Sequence, residues 1–192
     1  MKSVFLNRFL LGLKGVEIGG SSGPGDYGLD VINVDHPGGS IFNTEQLRHA
    51  PAVRKVDIVA DACSIPLPND SYEFVFSSHV LEHLPDPILA LQEQYRIATR
   101  YIAMVVPQRN ALVLDSQRPL TTLTELKNRW NKSPEGTYSL FEHLSIWRVE
   151  DMLELISWGN SQKIWNFTVR GVLNPDDARG DGWIVILEVI KS

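Results

Sequence analysis

The sequence has one cysteine, Cys63, among its 192 residues, and no apolar run approaches the ~20 residues that span a bilayer. A single cysteine excludes an internal disulfide framework and predicts an intracellular, cytoplasmic protein. Residues 1–13 lack a continuous apolar stretch and a small-residue cleavage site, so no signal peptide is predicted. Acidic residues outnumber basic ones, and the net charge of −5 argues against nucleic acid as the main partner.

The remaining composition is that of an ordinary globular protein. Hydrophobic residues make up 43% of the chain and charged residues 21%, which excludes a disordered or low-complexity chain. We predict a single domain over residues 1–192, in which the irregular stretch 108–147 forms a lid or substrate-side insertion. Nothing in the composition separates a monomer from a homodimer.

Short apolar runs separated by turn residues are the main pattern along the chain. They predict seven strands, at residues 15–18, 31–34, 56–60, 74–77, 101–106, 163–169 and 183–190. Helical spacing appears at residues 4–13, after Pro87, at 121–130 and at 149–158. Alternating strands and helices predict an α/β protein with a mostly parallel sheet and helices on both faces. The Gly- and Asp-rich segment 171–182 predicts that the last two strands form an antiparallel pair.

Polar and glycine residues follow each of the first five predicted strands. The run EIGGSSG occupies residues 17–23, and Asp35, Asp61 and Ser77 end the next three strands. Ligands of open α/β sheets bind beyond the carboxyl ends of the strands. Glycines permit close approach of the backbone, and carboxylates accept hydrogen bonds from ribose hydroxyls or an adenine amine. Each signal alone is also typical of a plain turn or helix cap, but their joint order favours a nucleoside site.

Several segments together resemble a known family. They are VEIGGSSG at residues 16–23, INVD at 32–35, VADA at 59–62, IPLPNDSYEFV at 65–75 and SSHVLEHLPDP at 77–87. The chain resembles a class I, Rossmann-like methyltransferase of the methyltransferase-type-11-like branch, which depends on S-adenosylmethionine (SAM). The resemblance implies a Rossmann-like seven-stranded sheet with an antiparallel terminal strand, SAM as cofactor and a methyl acceptor that is a small molecule or a sugar- or lipid-linked compound.

The resemblance also implies roles for individual residues. Residues at the ends of the first four predicted strands would form the SAM pocket. They are Glu17, Gly19, Gly20, Ser21 and Gly23 after the first; Asp35 and His36 after the second; Asp61 and Ala62 after the third; and Ser77 and Ser78 at the fourth. Asp35 matches the ribose-binding acid, and Asp61 with Ala62 matches the adenine-binding pair. The first turn departs from the usual Gly-x-Gly-x-Gly, and only 15 residues separate Gly19 from Asp35. The first crossover helix is therefore predicted to be short or missing.

Residues outside the cofactor motifs are the candidates for chemistry on the acceptor. Methyl transfer needs alignment of the acceptor with the donor, and a base adds rate where the acceptor begins protonated. We predict His143 as the base, with His79 as second candidate, because histidine titrates near neutral pH. Asp115 and Arg118 are candidates to orient a polar or anionic acceptor, although Arg118 could equally hold the lid.

Other functions of the same residues remain as alternatives. The run HVLEH at residues 79–83 matches an inverted zinc-protease signature, but Pro85 and Pro87 would end its helix early, and no metal site is predicted. A nicotinamide dehydrogenase is disfavoured because the first turn lacks G-x-G-x-x-G. A SAM-fold protein without catalytic activity, acting as a binding or scaffold partner, is the main non-enzyme alternative.

Overall fold

The structure is a computed structural model that describes residues 2–20, 27–36, 54–132 and 143–191. The described residues form one seven-stranded sheet in the order β3-β2-β1-β4-β5-β7-β6. Its strands are β1 (Lys14–Ile18), β2 (Asp30–Asp35), β3 (Ile58–Val59), β4 (Tyr72–Ser78), β5 (Ala98–Pro107), β6 (Phe167–Leu173) and β7 (Gly182–Val189). Strands β1 to β5 pair in parallel, and β7 runs antiparallel to both of its neighbours, β5 and β6. The predicted mixed sheet with an antiparallel pair is confirmed.

Four α-helices lie in the described parts of the chain. They are α1 (Val4–Leu10), α2 (Pro87–Ile97), α3 (Leu123–Arg129) and α4 (Val149–Ser161). Pro87 begins α2 as predicted, after an N-cap at which Asp86 accepts a hydrogen bond from the Leu89 amide at 2.9 Å. Thr122 and Glu125 form a reciprocal capping box at the start of α3. No helix in these described ranges is long and apolar enough to cross a membrane.

The two faces of the sheet carry separate cores, because neighbouring side chains on a strand point to opposite sides. On β4, Phe74 and Phe76 pack with Leu6 and Leu10 of α1. Val75 points to the other face, where it joins the core covered by the larger helices α2 and α4. Helices therefore lie on both faces, as predicted.

The connection from β1 to β2 contains no helix among its described residues, 19–20 and 27–29. Strands β1 and β2 are nevertheless direct parallel neighbours. Tyr27 is 4% exposed, and its ring packs edge-on against Phe76 with centroids 4.8 Å apart. An aromatic side chain thus fills space on this face that a crossover helix often covers.

The predicted boundaries of two strands were wrong. The sixth strand was predicted at 163–169, but β6 is Phe167–Leu173. Helix α4 continues to Ser161, and the chain then turns at Lys163 with a φ of 59°. Trp165 packs back onto α4 at Gly159, so the apolar residues after the turn belong to the helix packing. Strand β3 comprises only Ile58–Val59 of the predicted 56–60.

Candidate functional site

The carboxyl ends of the parallel strands meet at one edge of the sheet. Ile18 of β1 is level with Val34 of β2 and Ser77 of β4, so the residues that follow them share this edge. Asp35 is level with Val59 of β3, two residues before Asp61. The register therefore brings Gly19, Asp35, Asp61 and Ser77 to the same end of the sheet, where ligands of such sheets bind.

Asp35 and Asp61 give the β2–β3 side of this edge its acceptor chemistry. One carboxylate oxygen of Asp35 accepts a hydrogen bond from the His36 amide at 2.7 Å. One oxygen of Asp61 accepts from the Cys63 amide, also at 2.7 Å. These local bonds fix each carboxylate, and both side chains are only half-buried. Two fixed acceptors at neighbouring strand ends fit the hydroxyls of a ribose and the amine of an adenine.

The described start of the turn after β1, Gly19–Gly20, packs against the protein itself. Gly19 has a φ of 73°, and a Cβ there would lie 2.5 Å from a methyl group of Val80. The Gly20 amide donates to the side-chain oxygen of Asn33 at 3.1 Å. Glu17 is 5% exposed and pairs with Arg54. Direct contacts of Glu17, Gly19 and Gly20 with a cofactor stay predictions, and Ser21 and Gly23 lie outside the described residues.

The end of β4 contributes two serines. Ser77 is buried, and the Ser78 hydroxyl lies 2.8 Å from the phenol oxygen of Tyr27. Burial raises the pKa of Tyr27, so its hydroxyl stays protonated at neutral pH. This hydrogen bond joins the chain leading into β2 to the end of β4.

Asp115 and His143 meet on the far side of the β4 end. Asp115 Oδ2 lies 2.5 Å from Nδ1 of His143, and both side chains are buried. Arg118 bonds to Asp115 at 3.1 Å and donates to the His143 carbonyl at 2.6 Å. Arg118 thus holds the segment that contains Asp115 and His143, and its alternative role as a ligand of the acceptor stays a prediction.

Three histidines surround the carboxyl group of Glu82, and we call them the histidine cluster. His79 Nδ1, His83 Nε2 and His143 Nε2 lie 3.7, 3.8 and 4.0 Å from Glu82 Oε1. Glu82 belongs to the short 3-10 turn Leu81–His83, and burial raises its pKa to about 8. The turn begins after His79, whose φ is 54°, so His79 and His83 do not share a helical face. His143 reaches this cluster from a distant irregular segment, so the spacing of residues 79–83 does not predict it.

The loop between β6 and β7 is held by Asp176 and brings Asp181 to the site. Asp176 accepts hydrogen bonds from the amides of Ala178, Arg179, Gly180 and Gly182, at 2.7–3.0 Å. In the same loop, Asp181 Oδ1 lies 3.4 Å from Nε2 of His79. Burial lowers the pKa of His79 to about 4, so its ring is neutral near pH 7. Sequence reasoning missed Asp181, because only the antiparallel direction of β7 places this loop at the site.

Similarity to known proteins agrees with this geometry. The family model described as a methyltransferase domain matches residues 22–100, from the first turn to the start of β5. This stretch, which is less than half of the chain, is therefore similar to methyltransferase domains. A curated relative from rice, the chloroplastic 2-methyl-6-phytyl-1,4-hydroquinone methyltransferase 1, is 32% identical over 92 residues. That match covers 45% of this chain and 28% of the relative, so the chain matches little more than a quarter of the relative's length.

Solved structures show the same fold over nearly the whole chain. A SAM-dependent methyltransferase from Methanosarcina mazei has a TM-score of 0.61 and 16% identity, and 98% of each chain is covered. A SAM-dependent methyltransferase from Thermotoga maritima, described as a possible histamine N-methyltransferase, has a TM-score of 0.54 and 20% identity. That match covers 97% of this chain and 86% of the other. SAM is the cofactor that these similarities imply, and the acceptor chemistry of Asp35 and Asp61 fits it.

Proposed function

We propose that this protein transfers a methyl group from SAM to a small-molecule or sugar- or lipid-linked acceptor by in-line displacement. The observation that carries the proposal is the buried Asp115–His143 pair, which stands beside the end of β4 and apart from the nucleoside-binding acids. SAM supplies a methyl group on a positively charged sulfur, which leaves as a neutral thioether. The protein's part is to hold the acceptor in line and to accept its proton.

The acids at the ends of β2 and β3 hold the nucleoside in this proposal. Asp35 accepts from the ribose hydroxyls, and Asp61 with the Ala62 amide recognises the adenine. Ser77 and Ser78 then lie where the methionine portion meets the acceptor, between the two acids and His143. This order along the edge points the reactive end of the donor towards the histidine cluster.

His143 is the proposed base. A bond from Nδ1 to Asp115 fixes the ring and leaves Nε2 as the atom that accepts a proton. Arg118 keeps Asp115 in place, so the pair needs little reorganisation during the reaction. His79 is the second candidate, and its neutral ring also has a nitrogen able to accept a proton.

The class of acceptor is supported by charge and by the rice relative. The net charge of −5 disfavours a nucleic acid, whose phosphates repel an acidic protein. The relative is named for a phytyl hydroquinone, which is a lipid-linked small molecule. A cytoplasmic location and a monomeric or homodimeric state belong to the same proposal.

One observation favours a SAM-fold binding protein without activity. The Gly19–Gly20 turn packs on Val80 and Asn33, and Glu17 pairs with Arg54. These contacts commit the described start of the turn to the protein itself. Binding of SAM with no methylated product in any fraction would support this second candidate.

Two measurements test the proposal. Calorimetry with SAM, with its demethylated product and with NAD separates a methyltransferase from a nicotinamide enzyme. Incubation with labelled SAM and a cell extract, followed by mass spectrometry, identifies the acceptor. We expect SAM binding and a labelled small-molecule or lipid-linked product, and His143→Ala should lower the amount of that product while SAM binding is retained. Binding of NAD in place of SAM would overturn the assignment.

A further inference from the structure

The carboxyl group of Glu82 lacks the partners that a buried acid needs. Its side chain is 0% exposed, and neither carboxylate oxygen makes a hydrogen bond among the described residues. Leaving such a group unpaired in the interior costs several kcal/mol when it is charged. The structure keeps Glu82 in this position through its backbone, because the amides of Leu144 and Ser145 donate to the Glu82 carbonyl at 2.7 and 3.0 Å.

The nitrogens around Glu82 are too far away to be hydrogen-bonded to it. The three distances to Oε1 are 3.7–4.0 Å, whereas such bonds measure about 2.7–3.2 Å. Ligand atoms that share a tetrahedral Zn²⁺ ion lie about 3.4 Å apart, given metal–ligand distances near 2.1 Å. Glu82, His83 and His143 have donor atoms that all lie within 4.8 Å of one another. Shifts of about 1.4 Å or less in the separations of these donor atoms would bring them to the spacing of ligands on one ion.

His143 is already oriented as a metal ligand requires. Metal-bound histidines characteristically use one ring nitrogen for the metal and give the other to a carboxylate. Asp115 occupies Nδ1 at 2.5 Å, and Nε2 faces Glu82. Asp115 is itself fixed by Arg118 at 3.1 Å, which completes the outer support of the ligand.

We propose that Glu82, His83 and His143 bind a divalent transition metal ion of the Zn²⁺ class. Two imidazoles and one carboxylate suit such ions and leave a fourth coordination position open for water or a ligand. The negative charge of Glu82 would be compensated by the ion. His83 follows Glu82 directly, and His143 precedes the two amides that hold the Glu82 carbonyl, so the backbone contact already joins the segments that carry the ligands.

The role of the ion, unlike its binding, rests on the proposed methyl transfer. With the metal bound, Nε2 of His143 is a ligand and no longer a base. An acceptor hydroxyl at the open position would then lose its proton to solvent more readily, because a bound cation lowers its pKa. The ion would thus activate the acceptor in the metal-bound protein, whereas His143 is the proposed base in the metal-free protein.

Metal binding is measured without SAM and without an acceptor, so its result is independent of methyl transfer. The full chain is freed of metal by chelation and titrated with Zn²⁺ by calorimetry. We expect one ion per chain. Asp115→Asn should lower the affinity by about 10–100-fold, and His83→Ala should lower it further. Cys63→Ser, the matched control for binding through a thiol, should bind Zn²⁺ like the wild type.

A second variant guards against loss of folding. Glu82→Gln keeps the shape of the side chain and removes its charge, and circular dichroism checks its fold beside that of His83→Ala. A failure to bind Zn²⁺ at one ion per chain overturns the site, as does binding that His83→Ala leaves unchanged. A chain that binds SAM but no Zn²⁺ refutes the metal site alone, whereas a chain that binds Zn²⁺ but forms no methylated product refutes the proposed transfer.

Discussion

Asp115 and His143 are 28 residues apart in the sequence, and their side chains meet at 2.5 Å. The contact joins the short 3-10 turn Asp115–Gln117 to the segment that leads into α4. Both side chains are buried, so the carboxylate fixes the ring while solvent is excluded. An oriented histidine of this kind can accept a proton from a bound acceptor, or it can bind a metal ion.

Replacing His143 tests the role of this pair in turnover. We expect His143→Ala to lower the rate of methyl transfer about 100- to 10,000-fold, the usual contribution of a base, while SAM binding is retained. Turnover is measured with the acceptor identified from the labelled extract, and SAM affinity is measured by calorimetry. Gln117→Ala, an exposed change in the same short turn as Asp115, is the control. Normal turnover of His143→Ala would reject the assignment.

Replacing Asp35 tests the nucleoside side of the site. We expect Asp35→Ala to weaken SAM binding by about 10- to 1,000-fold, because each hydrogen bond to a charged group contributes ~1.5–3 kcal/mol. Asp30→Ala is the matched control, since Asp30 is exposed at the opposite end of the same strand. Equal dissociation constants for Asp35→Ala and the wild type would remove the ribose-binding role.

Replacing Gly159 with alanine tests the packing of Trp165 against the end of α4. A Cβ at this position would collide with the indole ring of Trp165, which is 2% exposed. We expect Gly159→Ala to lower the free energy of unfolding by about 1–3 kcal/mol, although alanine is the better helix former. Denaturant unfolding measures the change, and Ser157→Ala on the exposed side of α4 is the control. A more stable Gly159→Ala variant would show that the ring moves aside freely.

Asp176 tests the loop that carries Asp181. Burial acts to raise the pKa of Asp176, but its four amide partners together hold it below the ordinary value. The ionised carboxylate therefore stabilises the fold above its unfolded pKa, and this contribution is lost as the pH falls through the lower folded pKa. We expect Asp176→Asn to cost about 1–3 kcal/mol at pH 7.

The difference between Asp176→Asn and the wild type should shrink in acid, because the wild-type carboxylate then becomes neutral as well. Urea unfolding at a series of pH values measures it. Asp30→Asn, an exposed acid at the start of β2, should show no such dependence. A constant difference at every pH would mean that the charge of Asp176 does not stabilise the loop.

The parts of the fold that follow local rules could be predicted from the sequence. Apolar runs located the strands, and Pro87 located the start of α2. The start of β6 was misplaced because Ile164 and Trp165 are apolar for a different reason, namely packing against the end of α4. Hydrophobicity alone does not separate a strand from a buried segment that follows a helix.

Some residues of the candidate site could likewise be predicted from the sequence, and others could not. Asp35 ends β2 and Asp61 comes two residues after β3, so their position at the sheet edge could be predicted from the chain order. The contact of His143 with Asp115 depends on the path of an irregular segment, for which the sequence has no periodic signal. Asp181 came to the site through the direction of β7, which is a property of the whole sheet.

The antiparallel direction of β7 also places the loop before it apart from the ends of β2 and β3. Strand β7 begins at the edge of the sheet that carries the candidate site. The hairpin loop before Gly182 therefore lies at the same edge as Asp35 and Asp61 but on the other side of β1 and β4. Insertions or charge changes in that loop would alter the surroundings of His79, while the strand ends that carry Asp35 and Asp61 keep their positions. The loop can therefore vary in sequence without disturbing the strand ends on the other side of the sheet.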